Sequence, residues 1–249
     1  MKAKIDFVFG IRSVIEAIHS EKEIEKVLLK KGLGGELFKE LFNIIREFEI
    51  PFQFVPIEKI DRISKKNHQG VIAFISPVVY DNIENLLPGI FEQGKIPFLL
   101  ILDKVSDVRN FGGISRSAEC AGVDAIIIPS RGSAQINADA VKTSAGALHR
   151  IPVCRSMNLK QTIQFLKDSG LQIFGASEKV DNLYFNADYK SPLALIMGAE
   201  DEGISPEYLK MCDQQFSIPL QGKIASLNVS SATAVILFEA VRQRTNMNY

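Results

Sequence analysis

The sequence predicts an α/β protein with a small N-terminal domain and a larger C-terminal domain built on a mostly parallel sheet. The chain has 249 residues, of which 46% are apolar. This length and apolar content are enough to form one large or two small cores. Short apolar runs alternate with segments of helical periodicity, the pattern typical of layered α/β folds. A stretch bounded by proline and glycine separates the two parts. We therefore predict an N-terminal domain at 1–76, a linker with the first following helix at 77–95, and a C-terminal domain at 96–249.

The first domain reads as a compact layered unit. After Gly10, apolar residues recur at the i, i+3, i+4 and i+7 positions of a helix, starting at Ile11. A second helix with one apolar face covers 36–49. The remaining predicted elements are strands at 7–9, 26–30, 51–55 and 70–76, with a helical turn or short helix at 57–63.

The second domain begins with a continuous apolar run, PFLLILDKV, as expected of a strand buried on both faces of a parallel sheet. Helical stretches separate it from the other predicted strands, which are 125–129, 171–176, 193–197 and 215–218. Alternation of this kind predicts ligand binding beyond the carboxyl ends of the strands.

Composition excludes several classes of protein. The numbers of basic and acidic residues are equal, 29 of each, so any polyanion partner has to be recognised by local sites. Three widely spaced cysteines suggest neither a disulfide framework nor a thiolate zinc site, which favours a cytoplasmic location. No apolar run approaches the ~18 residues of a membrane span, and the start does not resemble a signal peptide.

The first candidate loop follows the strand at 98–102 and precedes a helix. We place Asn110 and the Gly112–Gly113 pair in this loop, and Arg116 in the first turn of the helix. Glycines allow close backbone approach, and a helix N-terminus beside arginine suits an anion. A plain strand-to-helix turn with an exposed arginine is an equally good interpretation of this loop alone.

The second candidate loop is an apolar strand that runs into Gly198-x-Glu200-x-x-Gly203. Adjacent acidic side chains here could hold magnesium, but neighbours in a turn seldom converge on one ion, so metal binding is the weaker interpretation. For Asp201 and Glu202 a solvated acidic turn is favoured.

The third candidate loop follows the strand that ends near Ile218 and Pro219. Ser226, Asn228 and two further serines precede or open a helix of small residues. N-capping explains one of these polar residues but not all of them.

Common catalytic signatures are missing from these loops. The chain lacks the dinucleotide, phosphate-loop and G-x-S-x-G fingerprints, and its three histidines do not have the spacing of metal ligands.

Taken in order, the three loops resemble the three motifs of the SpoU (TrmH) family of RNA ribose 2′-O-methyltransferases, within the knotted SPOUT class. Val108 stands where the family motif usually has proline, which lowers the rigidity expected of the first loop. The matching residues are Asn110, Gly112, Arg116, Ser117 and Ala118, then Gly198, Glu200 and Gly203, then Pro219, Ser226, Leu227, Asn228, Val229, Ser230 and Ala232.

The resemblance implies S-adenosylmethionine as methyl donor, no metal, a deep trefoil knot and a homodimer formed with the C-terminal helix at 232–243. Because threaded connections are rare, periodicity could not have predicted the knot. The positions implied as backbone contacts to the cofactor are Gly198, Ile218 and Leu227, with Met197 and Pro219 beside them.

The resemblance also implies roles for side chains. Arg116 is implicated at the reacting hydroxyl, where a guanidinium is a poor base and serves better as a clamp that stabilises an alkoxide. Asn110 would orient Arg116 or the ribose, and Glu200 would hold a loop or Arg116. Ser226 and Asn228 would fix the third loop and bind the substrate.

FGIRSVIEAI and KKNHQGVIA resemble the N-terminal domain of the subgroup that methylates a guanosine ribose in 23S rRNA, a domain similar to kink-turn-binding ribosomal proteins. It implies an RNA-facing surface that comprises Arg12, Lys30, Lys31, Arg62, Lys65, Lys66 and His68. A tRNA ribose methyltransferase, or a non-catalytic RNA-binding or ribosome-assembly protein on the same fold, are the alternatives.

Overall fold

The computed structural model describes residues 6–245, and these form two compact units. The chain passes from the first unit to the second between Val79 and Tyr80, and the short segment Ile136–Ala138 groups with the first unit.

The N-terminal unit is a four-stranded sheet with helices on both faces. The sheet order is β1-β4-β2-β3, in which β4 is antiparallel to both of its neighbours and β2 is parallel to β3. The elements are β1 (Phe7–Phe9), α1 (Ile11–His19), β2 (Ile24–Lys30), α2 (Glu36–Glu47), β3 (Phe52–Val55), α3 (Ile57–Asp61) and β4 (Val71–Ile75). Every element predicted for this part of the sequence is present.

Alternation along the strands builds two cores in this unit. Val27 and Leu29 point to the face covered by α1 and α2, where Val14, Leu41 and other apolar residues are buried. Leu28, between them, belongs to the opposite core beside α3. Successive strand residues point to opposite faces, so one apolar run serves both layers.

The C-terminal unit contains a seven-stranded sheet in which every pairing is parallel. Its strands are β5 (Tyr80–Asp81), β6 (Phe98–Leu102), β7 (Ala125–Pro129), β8 (Val153–Ser156), β9 (Gln172–Ala176), β10 (Leu193–Met197) and β11 (Gln214–Phe216). Its helices are α4 (Ile83–Glu92), α5 (Val108–Cys120), α6 (Ala138–Thr143), α7 (Leu159–Asp168), α8 (Pro206–Leu209) and α9 (Val229–Thr245).

Two strands of this sheet were missed from the sequence. β5 has only two residues, and β8 has the sequence VCRS, too short and too polar at Arg155 to form an apolar run. The two strands pair with each other at one edge of the sheet, and β8 joins them to β7. β5 is the edge strand and has one neighbour, whereas β8 is largely buried between β5 and β7, so its short length rather than exposure hides it from the sequence pattern.

The order of the strands creates a switch point between β6 and β10. The order is β11-β9-β10-β6-β7-β8-β5, so the chain moves from β6 through β7 to β8, then returns on the other side through β9 and β10. Loops after β6 and β10 therefore leave in different directions and open a crevice at the carboxyl edge, where ligands of open α/β sheets bind.

Within residues 6–245, we find no helix with the length and apolar character needed to cross a membrane.

Candidate active site

The three loops predicted to carry function meet at the carboxyl edge of the parallel sheet. We call residues 103–107, after β6, the first loop, residues 198–205, after β10, the second loop, and residues 217–228, between β11 and α9, the third loop. Side chains that are 90, 28 and 118 residues apart in sequence are brought into hydrogen-bond contact there.

The contact is a closed triangle of polar side chains, which we call the Asn–Glu–Asn cluster: Asn110, Glu200 and Asn228. The Asn110 Nδ2 atom donates to Glu200 Oε1 at 2.6 Å. Asn228 Nδ2 donates to the same carboxylate oxygen at 2.7 Å and to Asn110 Oδ1 at 3.0 Å. Hydrogen bonds to a charged acceptor are stronger than neutral ones, so Glu200 joins the helix after the first loop to the third loop.

Asn228 also caps the last helix. Its Oδ1 accepts hydrogen bonds from the backbone N–H of Ser230 at 3.0 Å and of Ser231 at 3.4 Å. This is the N-cap arrangement that satisfies otherwise free donors at the start of α9. The same side chain therefore fixes the third loop and completes the cluster. N-capping was predicted for one of the four polar residues at the start of this helix, and Asn228 is that residue.

The helix after the first loop begins earlier than predicted. Asp107 is its N-cap and accepts hydrogen bonds from the N–H groups of Arg109 and Asn110, so α5 starts at Val108. The placement of Asn110 and Gly112–Gly113 in a loop was therefore wrong. Val108 occupies the first helical position, where proline is favoured because the backbone N–H at this position needs no partner within the helix. Here the helix starts without proline because Asp107 caps it.

The two glycines lie inside α5 because neighbouring helices pack directly against it. A Cβ on Gly112 would lie 2.7 Å from the Thr143 Cβ and 2.9 Å from the Ala140 carbonyl oxygen. One on Gly113 would lie 2.6 Å from the Ser230 hydroxyl. Glycine costs an exposed helix about 1 kcal/mol relative to alanine, and here it permits close approach of α6 and α9.

Arg116 lies in the third turn of α5, so its predicted place in the first turn was wrong. Its side chain is exposed and forms no hydrogen bond or ion pair with the described residues. Six helical positions separate it from Asn110, which is about 240° around the axis. The predicted contacts of Asn110 and Glu200 with Arg116 are therefore not formed, and both side chains bond within the Asn–Glu–Asn cluster instead.

The second loop folds back over the strand from which it emerges. Ala199 and Gly203 exchange backbone hydrogen bonds of 3.1 and 2.9 Å, and this closes the turn that presents Glu200. The returning backbone passes so near Gly198 that a Cβ there would lie 2.0 Å from the Gly203 carbonyl carbon and 2.2 Å from the Ile204 nitrogen. Only glycine fits at position 198.

Asp103 anchors the far end of the second loop, a role that sequence reasoning missed. Its side chain is 1% exposed, and its Oδ2 accepts a hydrogen bond from the Ser205 N–H at 2.7 Å. Beside it, Lys104 pairs with Glu202 at 3.5 Å across exposed surface. A charged residue directly after the buried run LLIL was the available signal, because a buried carboxylate requires a partner.

Two of the three acidic side chains of the second loop have partners other than metal. Glu200 accepts two amide hydrogen bonds and Glu202 pairs with Lys104. No group of three or more potential ligands suited to a metal ion occurs in the described part of the chain.

A cleft opens beside the cluster, between the carboxyl ends of β9, β10 and β11. Its lining includes backbone and side chains of Met197, Gly198, Ile218, Ser226 and Leu227, all predicted site residues. Glu200 also lines it, whereas the predicted residues Asn110, Arg116, Asn228 and Pro219 do not. Other lining residues were not predicted, among them Ser177, Glu178, Lys179 and Ser217.

Two cysteines in this unit are unsuited to nucleophilic chemistry. Burial raises the pKa of Cys154 to about 12, with the nearby Asp81 carboxylate adding to the effect. Burial likewise raises the pKa of Cys212 to about 12. Because the thiolate is the reactive form, neither sulfur serves as a nucleophile near neutral pH.

The basic residues predicted to face RNA gather at one end of the N-terminal unit. The segment 65–70 is tied to the start of α1 by Gln69 Oε1, which accepts from the Ile11 N–H at 3.0 Å. It is tied to the end of β2 by the Lys30 N–H, which donates to the Gly70 carbonyl at 2.8 Å. The exposed basic side chains brought together in this way are Arg12, Lys30, Lys31, Arg62, Lys65 and Lys66.

His68 differs from these residues because it is buried and 8% exposed. Its Nδ1 accepts a hydrogen bond from the Gly70 N–H at 3.0 Å, and its Nε2 lies 2.8 Å from Asp61 Oδ1. An accepting Nδ1 leaves the proton on Nε2, which donates to Asp61. Both nitrogens are used within the protein, so we assign His68 a structural role in shaping the basic segment.

Comparison with known proteins agrees with this geometry. Residues 97–238 match the model of the SpoU rRNA Methylase family, and residues 7–80 match that of the RNA 2′-O ribose methyltransferase substrate-binding domain. The chain is 37% identical over 242 residues to the 23S rRNA (guanosine-2′-O-)-methyltransferase RlmB of Escherichia coli, covering 96% of this chain and 99% of that one.

Two solved structures are also similar. An AdoMet-bound rRNA methyltransferase from Sinorhizobium meliloti has 25% identity and a TM-score of 0.61, and the match covers 95% of this chain and 86% of that one. The TrmH/SpoU tRNA modifying enzyme of A. aeolicus has 28% identity and a TM-score of 0.57, and covers 67% of this chain and 86% of its own.

Proposed function

Because this chain belongs to the SpoU rRNA methylase family, we propose that its cleft beside Glu200 binds S-adenosylmethionine and that a guanosine ribose of 23S rRNA is methylated there. The chain is an S-adenosylmethionine-dependent RNA 2′-O-methyltransferase. The observation that carries the proposed location is the Asn–Glu–Asn cluster, which joins all three motif segments at the edge of one cleft.

The residues of the cleft fit a nucleoside. Gly198, Ile218 and Leu227 follow β10 and β11 and offer backbone donors and acceptors together with apolar surface, the combination that binds an adenine ring. Met197 adds a polarisable side chain. Gly198 contributes by being small, because any side chain there would force the second loop open. We propose that the backbone at Gly198, Ile218 and Leu227 contacts the cofactor.

When bound, S-adenosylmethionine supplies an electrophilic methyl group on a positively charged sulfur. Transfer would form a bond from the ribose 2′-oxygen to that methyl carbon and break its bond to sulfur, leaving S-adenosylhomocysteine and releasing the hydroxyl proton. The protein's task is to position the two reactants, which removes much of the entropic barrier. We propose that Ser226, which lines the cleft, orients the ribose, while Asn228 and the rest of the Asn–Glu–Asn cluster hold the third loop in place.

Arg116 is the residue we assign to the developing charge. A guanidinium donates hydrogen bonds and has no acceptor, so Arg116 acts on a phosphate or the 2′-alkoxide through hydrogen bonds and charge rather than as a base. Its exposure and lack of partners among the described residues leave it available to RNA. We expect Arg116→Ala to lower kcat at least about 100-fold while S-adenosylmethionine binding is unchanged. Arg150→Ala, a second exposed arginine, is the control, and full activity of Arg116→Ala would contradict the role.

We propose that the exposed basic residues around segment 65–70 bind the RNA backbone. Binding through phosphate contacts weakens steeply with salt, with a log–log slope of about −0.7 to −0.9 per contact. Replacing both Lys65 and Lys66 with alanine should make the slope shallower by one to two units, whereas Lys22→Ala should leave it unchanged. An unchanged slope in the double variant would refute this surface. Because rRNA is the proposed substrate, we also propose a cytoplasmic location.

We propose that the protein is a homodimer that uses α9. Val235 and Phe238 lie three residues apart on this helix and are 37% and 50% exposed, although the opposite side of the helix is buried in the core. Exposed apolar neighbours on one helix face are typical of a protein interface. We expect Phe238→Glu to give a monomer by light scattering, with Phe48→Glu, an exposed site in the other unit, as control. A dimer that survives Phe238→Glu would argue against this interface.

The test of the activity is transfer of radiolabelled methyl from S-adenosylmethionine to rRNA and to bulk tRNA, both prepared from cells that lack the protein. Alkali-stable label at a 23S guanosine is expected. Label in tRNA alone would overturn the substrate while keeping the chemistry. No label in either RNA, together with no cofactor binding, would favour a non-catalytic RNA-binding protein.

A further inference from the structure

We propose that Glu178 binds the ribose diol of the cofactor and thereby selects a ribonucleoside in the cleft. This inference rests on the cleft being the S-adenosylmethionine site. Glu178 lies in the loop that follows β9, lines the cleft and is exposed. It forms no hydrogen bond or ion pair with other residues in the range 6–245, so its two carboxylate oxygens are free to accept.

The other acidic residues of the cleft are less suitable. Glu200 is held by Asn110 and Asn228 at 2.6 and 2.7 Å, and Glu202 pairs with Lys104. Asp201, which also lines the cleft, lies in the turn of the second loop that the backbone of Ala199 and Gly203 closes. Glu178 and Asp201 are therefore the two lining carboxylates without a partner among the described residues.

The sheet order decides between these two carboxylates. The proposed backbone contacts to the adenine come after β10 at Gly198 and after β11 at Ile218, and β9 lies directly between these strands. A nucleoside held from both sides therefore lies over the end of β9, where Glu178 follows. Asp201 follows β10, at one side of that position.

The chemistry of the diol requires such a group. Two neighbouring hydroxyls present two donors, and a carboxylate accepts both at once. The same pairing recurs in dinucleotide-binding folds, where an acidic residue near a strand end binds a ribose hydroxyl. The nearby Ser177 hydroxyl already accepts from the Lys179 N–H at 3.3 Å, so it is a poorer candidate.

The experiment measures binding by isothermal titration calorimetry, which does not depend on RNA or turnover. The probe is S-adenosylhomocysteine, which lacks the sulfonium charge. A change in its Kd on removal of the Glu178 carboxylate therefore does not arise from lost attraction to the sulfonium. We expect Glu178→Gln to raise its Kd about tenfold. Asp201→Asn removes the same charge from the same cleft, and we expect it to change Kd less than about twofold.

Ligands without one hydroxyl identify the contact. Wild-type protein should bind 2′-deoxy- or 3′-deoxy-S-adenosylhomocysteine several-fold more weakly than the parent, whereas Glu178→Gln should bind all three alike. The proposal falls if Glu178→Gln binds the parent ligand as wild type does, or if it still discriminates against both deoxy ligands. Failure of wild-type protein to bind S-adenosylhomocysteine at all would instead overturn the cofactor site on which the proposal rests. Since Glu178 is exposed, an unchanged melting temperature serves as the folding control.

Discussion

Replacing Gly198 with alanine should damage the site more than its single added methyl group suggests. The new Cβ would lie 2.0 Å from the Gly203 carbonyl carbon, and an ordinary contact begins near 3.4 Å, so the backbones must separate by 3.4 − 2.0 = 1.4 Å. The atoms it meets belong to the main chain, so no side-chain rotation relieves the clash. Overpacking costs about 1–3 kcal/mol, and the two hydrogen bonds between Ala199 and Gly203 are each worth about 1 kcal/mol.

We therefore expect Gly198→Ala to lower the free energy of unfolding of the C-terminal unit by about 3–5 kcal/mol if both hydrogen bonds are lost. Displacing the loop that lines the cleft should also weaken binding of S-adenosylhomocysteine at least about tenfold. Thermal unfolding followed by circular dichroism and titration calorimetry measure the two effects.

Two glycines of neighbouring loops provide controls. Gly203 has a φ of +68°, and a Cβ added there would meet no atom within 4 Å, so Gly203→Ala tests backbone strain alone, about 1 kcal/mol. Gly222, in the third loop, has neither a positive φ nor a close contact, and Gly222→Ala should be nearly neutral. If Gly198→Ala binds ligand normally and is no less stable than Gly203→Ala, the reasoning from the backbone crossing is refuted.

Three further predictions concern the cluster, the helix packing and the cysteines. Asn228→Ala removes both a helix cap and two contacts of the cluster, so it should cost about 1–2 kcal/mol in thermal unfolding and lower methyl transfer, whereas unchanged stability would contradict the capping role. Gly113→Ala should destabilise the protein through its contact with the Ser230 hydroxyl, and the double variant with Ser230→Ala should recover most of that loss; additive effects would argue against the contact. At pH 8, exposed Cys120 should react with iodoacetamide while Cys154, whose pKa burial raises to about 12, should not, as peptide mass spectrometry will measure.

Most elements of the fold were predictable because their apolar periodicity is strong. Residues such as Val14 and Leu41 occupy helical positions that face a core, and the runs at 98–102 and 193–197 are buried along their whole length. β5 and β8 were not predictable, because short polar strands at one side of a sheet carry little signal. The parallel order of the strands agrees with the prediction. The trefoil knot stays a prediction, since threading depends on the path of the whole chain rather than on local pattern.

The site was predicted in its residue types but not in its contacts. Glycine next to polar residues suggested a loop at 110–113. The segment is instead helical, and glycine is needed there because Thr143 and Ser230, which are distant in sequence, pack against it. The pairing of Glu200 with two asparagines depends on which strands are neighbours, which sequence periodicity does not reveal. For His68, only the folded chain shows that Asp61 lies against its Nε2.

The Asn–Glu–Asn cluster also sets the earliest time during synthesis at which the site can be complete. Asn110 and Asn228 are 118 residues apart, and a ribosome adds about 5–20 residues per second. About 6–24 s therefore pass between the addition of Asn110 and the addition of Asn228 during synthesis. Throughout that interval α9 has not been synthesised and cannot cover Gly113, although the residues of β6, β7 and α5 have already been added. A chain still being synthesised therefore has an incomplete site, because the three motif segments can meet only after the last of them has been added.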